Sequence, residues 1–249
     1  MKVYGLIGKS LFHSWSKDYF EQKFARENIS GCTYRNFPLE DISSIRQLVA
    51  GNTSILGLNV TIPYKSKVIE YLDSLDRDAA AVRAVNCIRV DRLGDGDFTL
   101  KGFNTDFLAF EETLKPLVQG GIHKALILGT GGASKAICYA LDRLGIDHDL
   151  VSRRKSGKIL VYSEITPDLI GGYQLIVNTT PVGMAGEFEG TYPPLPYSAL
   201  GNRHLLYDLV YNPEITPFLE KGMAMGCRTI NGMEMLKLQA ELSWTIWNA

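Results

Sequence analysis

A glycine-rich turn at residues 129–134 (Gly-Thr-Gly-Gly-Ala-Ser) constrains the fold more than any other feature of this 249-residue sequence. Four apolar residues at 125–128 predict a strand before the turn. Apolar residues at helical spacing follow it, namely Ala136, Ile137, Ala140, Leu141 and Leu144. They predict a helix that is capped near Gly145. A strand, a tight glycine turn and a helix in this order let backbone N–H groups approach a pyrophosphate. An ordinary turn is the alternative, since Ser134 replaces the usual third glycine, but the combination favours a dinucleotide site.

The segment after the next predicted strand indicates which dinucleotide is bound. That strand, at 149–152, ends in Ser152, Arg153, Arg154 and Lys155. NAD sites usually carry Asp or Glu about 20 residues beyond the glycines, where the acid holds the ribose hydroxyls. No acid stands at this strand end, and a guanidinium suits a 2′-phosphate that a carboxylate would repel. The sequence therefore favours NADP(H) over NAD, with a solvated basic loop as the alternative interpretation.

The composition is that of an ordinary globular protein, with 45% hydrophobic and 21% charged residues and a formal net charge of -1. Because no strong field of one sign is present, we expect neither nucleic acid nor a membrane surface as a partner. No apolar run approaches the roughly 18 residues of a membrane span. The four cysteines are scattered (Cys32, Cys87, Cys138 and Cys227). We interpret them as buried thiols of a cytoplasmic protein, and not as a disulfide framework or a metal site.

Strand-like and helix-like segments alternate along the chain, which predicts an α/β fold with largely parallel sheets. The predicted strands are at 3–8, 33–37, 55–61, 125–128, 149–152, 175–178 and 205–210. Predicted helices include 17–27, 41–49, 64–72, 77–84, 106–117 and 233–247. A hairpin is expected around Gly94-Asp95-Gly96. The pattern indicates two α/β domains, with a nucleotide domain inserted within or following the first.

Three short polar segments stand at predicted strand ends, where α/β sheets bind their ligands. His-Ser-Trp-Ser at 13–16 offers hydroxyls to a polar ligand, or a serine cap to the next helix. Asn-Val-Thr-Ile-Pro-Tyr-Lys at 59–65 puts Lys65 in the first turn of a predicted helix, where a cation costs about 0.3–1 kcal/mol. That cost indicates that Lys65 is placed there for another reason, for which proton transfer is the candidate. A solvated lysine is the alternative. In Gly-Phe-Asn-Thr-Asp at 102–106, Asp106 could bind a substrate hydroxyl beside Lys65, and helix capping by Thr105 and Asp106 is the alternative.

Gln239 lies on the apolar face of the last predicted helix. At helical spacing it shares that face with Met235, Leu236 and Leu242. A polar side chain on a buried stripe needs a hydrogen-bond partner. Gln239 is therefore either a core glutamine bonded to the protein or a contact to a ligand.

Taken in order, these segments resemble the shikimate dehydrogenase family over nearly the whole chain. The motifs are His-Ser-x-Ser at 13–16, Asn-Val-Thr-x-Pro-x-Lys at 59–65, Ala-Val-Asn at 84–86, Gly-x-Asn-Thr-Asp at 102–106, the glycine turn, Asn-Thr-Thr-Pro-Val-Gly-Met at 178–184, Asp-Leu-Val-Tyr-Asn-Pro at 208–213, and Asn-Gly at 231–232 followed by Gln239. Their order and combination are highly specific.

The resemblance implies reversible reduction of 3-dehydroshikimate to shikimate with NADP(H), on the route to chorismate and aromatic amino acids. It also implies two domains. A substrate domain at 1–104 plus 233–249 would be completed by the carboxyl-terminal helix, and a Rossmann-like NADP-binding domain would occupy 105–232. The partner would be the small-molecule substrate, and the protein would be a monomer or a homodimer.

The resemblance assigns roles to particular residues. Lys65 would be the acid/base, assisted by Asp106. Shikimate would be bound by Ser14, Ser16, Thr61, Asn86, Asp106, Tyr211 and Gln239. NADP would contact Gly129, Gly131, Gly132, Ala133, Ser134, Ser152, Arg153, Arg154, Leu209 and Gly232.

The sequence departs from the family pattern at Lys17, Arg77, Arg83 and Cys87. Its stretch at 155–174 is also shorter than usual, which predicts that a helix is reduced to a loop. Two other functions are open: a quinate/shikimate dehydrogenase that uses NAD, and a relative that senses shikimate without catalysis. The basic residues after 152 argue against NAD. Ser14 and Ser16 favour shikimate over quinate, and the presence of Lys65 and Asp106 argues against a sensor.

Overall fold

The computed structural model of the protein describes residues 1–11, 14–118 and 121–249, and the chain divides into two compact units. The first unit comprises Met1–Thr105 and Gln239–Ala249, and the second comprises Asp106–Leu238. The predicted domain limits differ slightly, because they put residue 105 in the nucleotide domain and residues 233–238 in the substrate domain. A continuous helical pattern carries no signal of where tertiary contacts divide the helix.

The elements alternate between strands and helices, as the sequence predicts. The strands are β1 (Lys2–Gly8), β2 (Cys32–Pro38), β3 (Ile55–Val60), β4 (Ser74–Leu75), β5 (Cys87–Gly94), β6 (Asp97–Phe103), β7 (Lys124–Leu128), β8 (Asp147–Ser152), β9 (Leu160–Val161), β10 (Leu175–Asn178), β11 (Leu205–Asp208) and β12 (Arg228–Ile230). The helices are α1 (Trp15–Arg26), α2 (Ile45–Gly51), α3 (Arg77–Val82), α4 (Asp106–Leu114), α5 (Gly132–Arg143), α6 (Pro167–Ile170), α7 (Pro217–Ala224) and α8 (Met233–Trp247). Among the described residues, no helix has both the length and the apolar character needed to cross a membrane.

The first unit is built on a six-stranded mixed sheet in the order β2-β1-β3-β5-β6-β4. Strand β1 pairs in parallel with β2 and β3, and β5 pairs antiparallel with β3 and β6. The β5–β6 hairpin turns where predicted, because Gly94, Asp95 and Gly96 all have positive φ. This hairpin makes the sheet mixed, so the prediction of largely parallel pairing holds only in part here.

The second unit carries a fully parallel sheet in the order β12-β11-β10-β7-β8-β9. Numbered from its own first strand, this order is 6-5-4-1-2-3, the doubly wound arrangement of dinucleotide-binding domains. The strand order reverses between β7 and β10, and ligands of such sheets bind outside the carboxyl ends of strands at that point. The predicted two-domain α/β fold with a Rossmann-like domain is confirmed.

An α-helix predicted at 64–72 is not formed. The chain makes a turn after β3, in which the Tyr64 N–H donates to the Thr61 carbonyl at 2.9 Å, and a short 3₁₀ helix follows at Lys67–Tyr71. The Lys65 carbonyl accepts from the Val85 N–H at 2.7 Å, so a tertiary bond uses an acceptor that an α-helix would need. Lys65 therefore precedes a single short helical segment, and the predicted opposition to a helix macrodipole has no basis here.

The end of α8 is fixed on the first sheet by an aromatic cluster. Trp247 stacks on Tyr4 with ring centroids 5.0 Å apart, and its Nε1–H donates to the Ile88 carbonyl at 3.0 Å. Phe20 of α1 stacks on Tyr34 of β2 at 4.6 Å. These rings bury large apolar surfaces on the face of the sheet that α1 and α8 cover.

Between β8 and β10 the chain contains only short elements, as the shortened 155–174 stretch predicts. These are the two residues of β9, a single 3₁₀ turn at Tyr162–Glu164, and the four residues of α6. Leu160 and Tyr162 of this segment pack against the core of the second unit. Strands β4, β9 and β12 are not predicted from the sequence, because they are too short to show a hydrophobic period.

The four cysteines are free thiols. Cys87 and Cys227 are buried as predicted, whereas Cys32 and Cys138 are only half-buried, so the prediction of four buried thiols is wrong for those two. Desolvation by burial raises the pKa of Cys138 to about 11. A thiol with so high a pKa is a weak nucleophile at neutral pH.

Candidate active site

The glycine turn after β7 needs a residue without a side chain at Gly129. Its φ is +118°, and an added Cβ would lie 2.6 Å from the Thr179 Oγ1 atom. Thr179 is fixed there, because its hydroxyl donates to the Leu128 carbonyl at 2.7 Å. The turn after β7 and the segment after β10 therefore approach closely at the point where the strand order of the sheet reverses.

Helix α5 begins with N–H groups that no capping side chain occupies. Gly131 is its N-cap and has no side chain to accept them, and the space around a Cβ added at Gly131 is open to 4 Å. The Ser134 hydroxyl donates to the Gly131 carbonyl at 2.7 Å. The first-turn N–H groups of Gly132, Ala133 and Ser134 thus form a cradle for an anion at the positive end of a twelve-residue helix.

The basic loop after β8 is shaped by Ser152. Its hydroxyl accepts from the Arg154 N–H at 3.0 Å and donates to the Arg154 carbonyl at 2.7 Å. Lys155 is paired with Glu164 at 2.7 Å. Arg153 and Arg154 are exposed, and within the described part of the chain neither guanidinium is paired with a carboxylate. Two unneutralised guanidiniums therefore stand where an NAD site would carry an acid.

A buried carboxyl group, Asp208 at the end of β11, organises the segments that follow β10 and β11. Its Oδ1 accepts from the Asn178 Nδ2–H at 2.9 Å and from the Val210 N–H at 3.0 Å. Its Oδ2 accepts from the Thr216 hydroxyl at 2.5 Å. Burial raises the pKa of Asp208 to about 6, although these three donors oppose the rise. The sequence pattern alone assigns no role to Asp208 or Asn178.

Gly232, just before α8, touches the backbone beside this carboxyl group. An added Cβ would lie 2.2 Å from the Leu209 carbonyl oxygen, so only glycine fits. The Gly232 N–H donates to the Val210 carbonyl at 3.2 Å. Tyr211 follows in the same segment, half-buried, with a pKa raised by burial. Three residues that the sequence analysis assigns to ligands, Leu209, Tyr211 and Gly232, are thus neighbours in the second unit.

In the first unit, Ser14 and Ser16 follow β1 and form hydrogen bonds with neighbouring segments. The Ser14 side chain accepts from the Lys17 N–H at 3.3 Å and caps α1, which is one of the two roles considered for it. Ser16 hydrogen-bonds with the side chain of Tyr34. This bond lowers the pKa of Tyr34, but burial raises the same pKa more strongly. The Tyr34 hydroxyl donates to the Asn59 Oδ1 atom at 2.9 Å. His13 of this motif lies outside the described residues.

Asn86 and Gln239 meet in the first unit. The Asn86 Nδ2 atom is 3.4 Å from the Gln239 Oε1 atom and donates to the Thr105 hydroxyl at 2.8 Å. The Thr105 hydroxyl donates in turn to the Gln239 carbonyl at 3.1 Å. All three residues are buried. Gln239 on the apolar face of α8 is therefore bonded to protein groups.

Thr61 and Lys65 follow β3 in the same unit. The Thr61 N–H donates to the Ile7 carbonyl at 2.9 Å, and a Cβ at Gly8 would lie 2.6 Å from the Thr61 Cγ2 atom. Lys65 is half-buried, and its backbone is tied to Val85, next to Asn86. Asp106 begins α4 in the second unit and is buried.

The two units thus divide the predicted site residues. The first unit holds Ser14, Ser16, Thr61, Lys65, Asn86 and Gln239, and the second holds Asp106, Tyr211 and all the predicted nucleotide contacts. Five buried polar residues around them are not among the predicted site residues, namely Asn59, Thr105, Ser243, Asn178 and Asp208. Their signal was a polar residue inside an apolar strand or helix pattern, as at Asn59 and Ser243.

The fold and the site define the class: a two-domain α/β protein whose second unit carries a dinucleotide-binding sheet. Residues 6–88 match the family model of the shikimate dehydrogenase substrate binding domain. The shikimate dehydrogenase (NADP(+)) of Carboxydothermus hydrogenoformans is 34% identical, over 99% of this chain and 91% of its own length. The chain belongs to the shikimate dehydrogenase family.

Solved structures agree with this assignment. Shikimate dehydrogenase 1 from Peptoclostridium difficile superposes with a TM-score of 0.84 and 35% identity, over 100% of this chain and 92% of that one. The enzyme from Thermus thermophilus, solved with NADP(H) and shikimate, gives a TM-score of 0.82 at 28% identity, over 99% of this chain and 93% of that one.

Proposed function

We propose that this chain catalyses the reversible, NADP-dependent reduction of 3-dehydroshikimate to shikimate. The proposal rests on a combination of two features in one chain. The second unit has an open glycine cradle and a basic strand end, and the first unit contains Lys65, Asn86 and Gln239. The resemblance to shikimate dehydrogenases extends over both units.

The residues of the second unit fit NADP. The first-turn N–H groups of α5 would hold the pyrophosphate, and the space at Gly131 allows its approach. Arg153 and Arg154 would hold the 2′-phosphate, with charge-assisted hydrogen bonds that a carboxylate at this place would oppose. When bound, the nicotinamide supplies or accepts the hydride.

The residues of the first unit fit a small ring that carries hydroxyls and a carboxylate. We assign Ser14, Ser16, Thr61, Asn86 and Gln239 to shikimate, together with Asp106 and Tyr211. Amides and hydroxyls both donate and accept hydrogen bonds, so they suit such a ligand. A pocket of this kind rejects analogues that lack a hydroxyl, because its own polar groups would then be left unpaired.

Lys65 is the proposed acid/base. In the reducing direction its ammonium group gives a proton to the carbonyl oxygen as that oxygen gains charge, and in the oxidising direction the neutral amine takes the proton back. The hydrogen bond from the Val85 N–H to the Lys65 carbonyl holds the Lys65 backbone beside the residue that precedes Asn86. Asp106 would assist by accepting a hydrogen bond from the substrate hydroxyl.

The decisive experiment is an absorbance assay at 340 nm with shikimate or quinate as substrate and NADP or NAD as cofactor. We expect reduction of NADP with shikimate and much slower rates in the other three combinations. Comparable rates with quinate or NAD would establish the quinate/shikimate dehydrogenase instead. Shikimate binding without turnover in any combination would establish the sensor.

Lys65→Ala tests the proton-transfer role. We expect turnover to fall by about 10²- to 10⁴-fold, the usual contribution of general acid–base catalysis, while the affinity for NADP changes little. Lys67→Ala removes an exposed lysine two residues away and is the matched control. If Lys65→Ala retains turnover within a few-fold of the parent protein, the assignment of the acid/base is wrong.

A further inference from the structure

Five buried polar side chains form a continuous hydrogen-bonded network in the first unit, called here the Asn59–Ser243 network. Its members are Asn59, Asn86, Thr105, Gln239 and Ser243. None is more than 9% exposed. The network joins β3, the start of β5, the end of β6 and α8. Two of its members, Asn86 and Gln239, are assigned to substrate above, and the other three have no role so far.

The direction of each hydrogen bond at Asn59 follows from chemistry. The Asn86 carbonyl can only accept, so the group 3.2 Å from it is the Asn59 amide nitrogen. The other hydrogen of that nitrogen points to the Ser243 Oγ atom at 2.9 Å. The Ser243 hydroxyl therefore donates its own hydrogen bond to the Gln239 carbonyl, at 2.9 Å.

The amide orientation of Asn86 is determined in the same way. The Thr105 backbone N–H can only donate, so the Asn86 atom 2.6 Å from it is the oxygen. The Asn86 nitrogen then donates to the Thr105 hydroxyl, and that hydroxyl donates its own hydrogen bond to the Gln239 carbonyl. Two hydroxyl groups thus converge on one carbonyl oxygen, that of Gln239.

Burying these groups is costly, and packing alone does not require it. An apolar side chain at Asn59 or Ser243 would avoid the desolvation of the amide and the hydroxyl. Polar groups in such surroundings are stabilising only when every partner is present. The arrangement does, however, allow Asn86 only one amide orientation. It also bonds Gln239, the residue at which the first unit resumes within α8.

We infer that Thr105, Ser243 and Asn59 are positioning residues, which fix the side chains of Asn86 and Gln239 for the substrate. This inference rests on the proposed function, because it takes shikimate as the ligand of those two side chains. None of the three needs to touch the substrate. Their effect is on how well Asn86 and Gln239 are oriented before binding, which enters the KM for shikimate and not that for NADP.

The first test compares Thr105→Val with Thr105→Ser. Valine keeps the shape but removes the hydroxyl, whereas serine keeps the hydroxyl. We expect Thr105→Val to raise the KM for shikimate about tenfold, the size expected for one lost hydrogen bond, with the KM for NADP within twofold of the parent. Thr105→Ser should restore the KM for shikimate to within threefold. A role in packing alone would not separate the two KM values.

A second test avoids the neighbourhood of Asp106. Ser243→Ala removes the hydroxyl that bonds Asn59 and Gln239, and Thr245→Ala is its matched control. Thr245 makes the same bond to the carbonyl four residues earlier, at 3.1 Å, on the exposed face of α8. We expect a rise of about tenfold in the KM for shikimate for Ser243→Ala only.

Folding of each variant is checked by tryptophan emission, because Trp15, Trp244 and Trp247 all lie in the first unit. A folded Thr105→Val or Ser243→Ala variant whose KM for shikimate stays within twofold of the parent overturns the inference. Equal rises in the KM for shikimate and for NADP also overturn it. Failure of the proposed function is distinct, because the parent protein itself would then show no turnover. If the parent also fails to bind shikimate in a calorimetric titration, both proposals fall.

Discussion

The buried carboxyl group of Asp208 makes stability depend on pH in a direction that is unusual for an aspartate. Its pKa rises from 3.8 to about 6 on folding, because burial disfavours the charged form. The folded protein therefore holds this proton more tightly than the unfolded chain does. The contribution to stability is complete below pH 3.8 and is lost as the pH rises through about 6.

The magnitude follows from the size of the pKa rise. From 3.8 to about 6, the rise corresponds to about 3 kcal/mol between the two protonation states. By linkage, about 2 kcal/mol of this falls between pH 4.5 and 7.5. Asp208→Asn removes the titration. The asparagine oxygen can keep its bonds to Val210 and Asn178, while the bond to Thr216 must reverse its direction, which offsets about 1 kcal/mol.

We therefore expect Asp208→Asn to unfold at higher urea concentration than the parent at pH 7.5, by about 1–2 kcal/mol, and to lose this advantage at pH 4.5. Far-UV circular dichroism follows the transition. Asp147→Asn removes an exposed carboxylate from the same unit and controls for the general change in charge. If the difference between Asp208→Asn and the parent is the same at both pH values, Asp208 does not titrate in this range and the reasoning is refuted.

Two further predictions concern the second unit. Replacing Arg153 and Arg154 together by serine should raise the KM for NADP at least tenfold, since each charge-assisted bond contributes about 1.5–3 kcal/mol, while the KM for NAD stays within threefold. Steady-state kinetics with both cofactors measures this, and an equal change for NADP and NAD would contradict it. Gly232→Ala should lower the melting temperature and weaken NADP binding, because its Cβ would stand 2.2 Å from the Leu209 carbonyl oxygen. Gly201→Ala, where the nearest atom is 3.9 Å away, is the tolerated control, and a Gly232→Ala protein with parental melting and NADP binding would refute the steric argument.

Local signals in the sequence were enough for most elements and for the chemistry of the site. The period of the apolar residues predicts α8 with its observed limits, Met233–Trp247. The glycine run predicts the turn before α5, because only a residue without a side chain fits at Gly129. Both signals act within a few residues along the chain, so a single sequence is sufficient to read them.

Tertiary structure alone decided how the candidate site residues are held. Lys65 precedes a 3₁₀ helix and not an α-helix, because Val85, twenty positions along the chain, takes its carbonyl oxygen. Thr105 contacts both Asn86 and Gln239, because the fold brings a helix from the far end of the chain to its hydroxyl. A polar side chain forms the hydrogen bonds that its neighbours in space allow. Those neighbours are set by packing between segments more than 100 residues apart, and no local pattern records them.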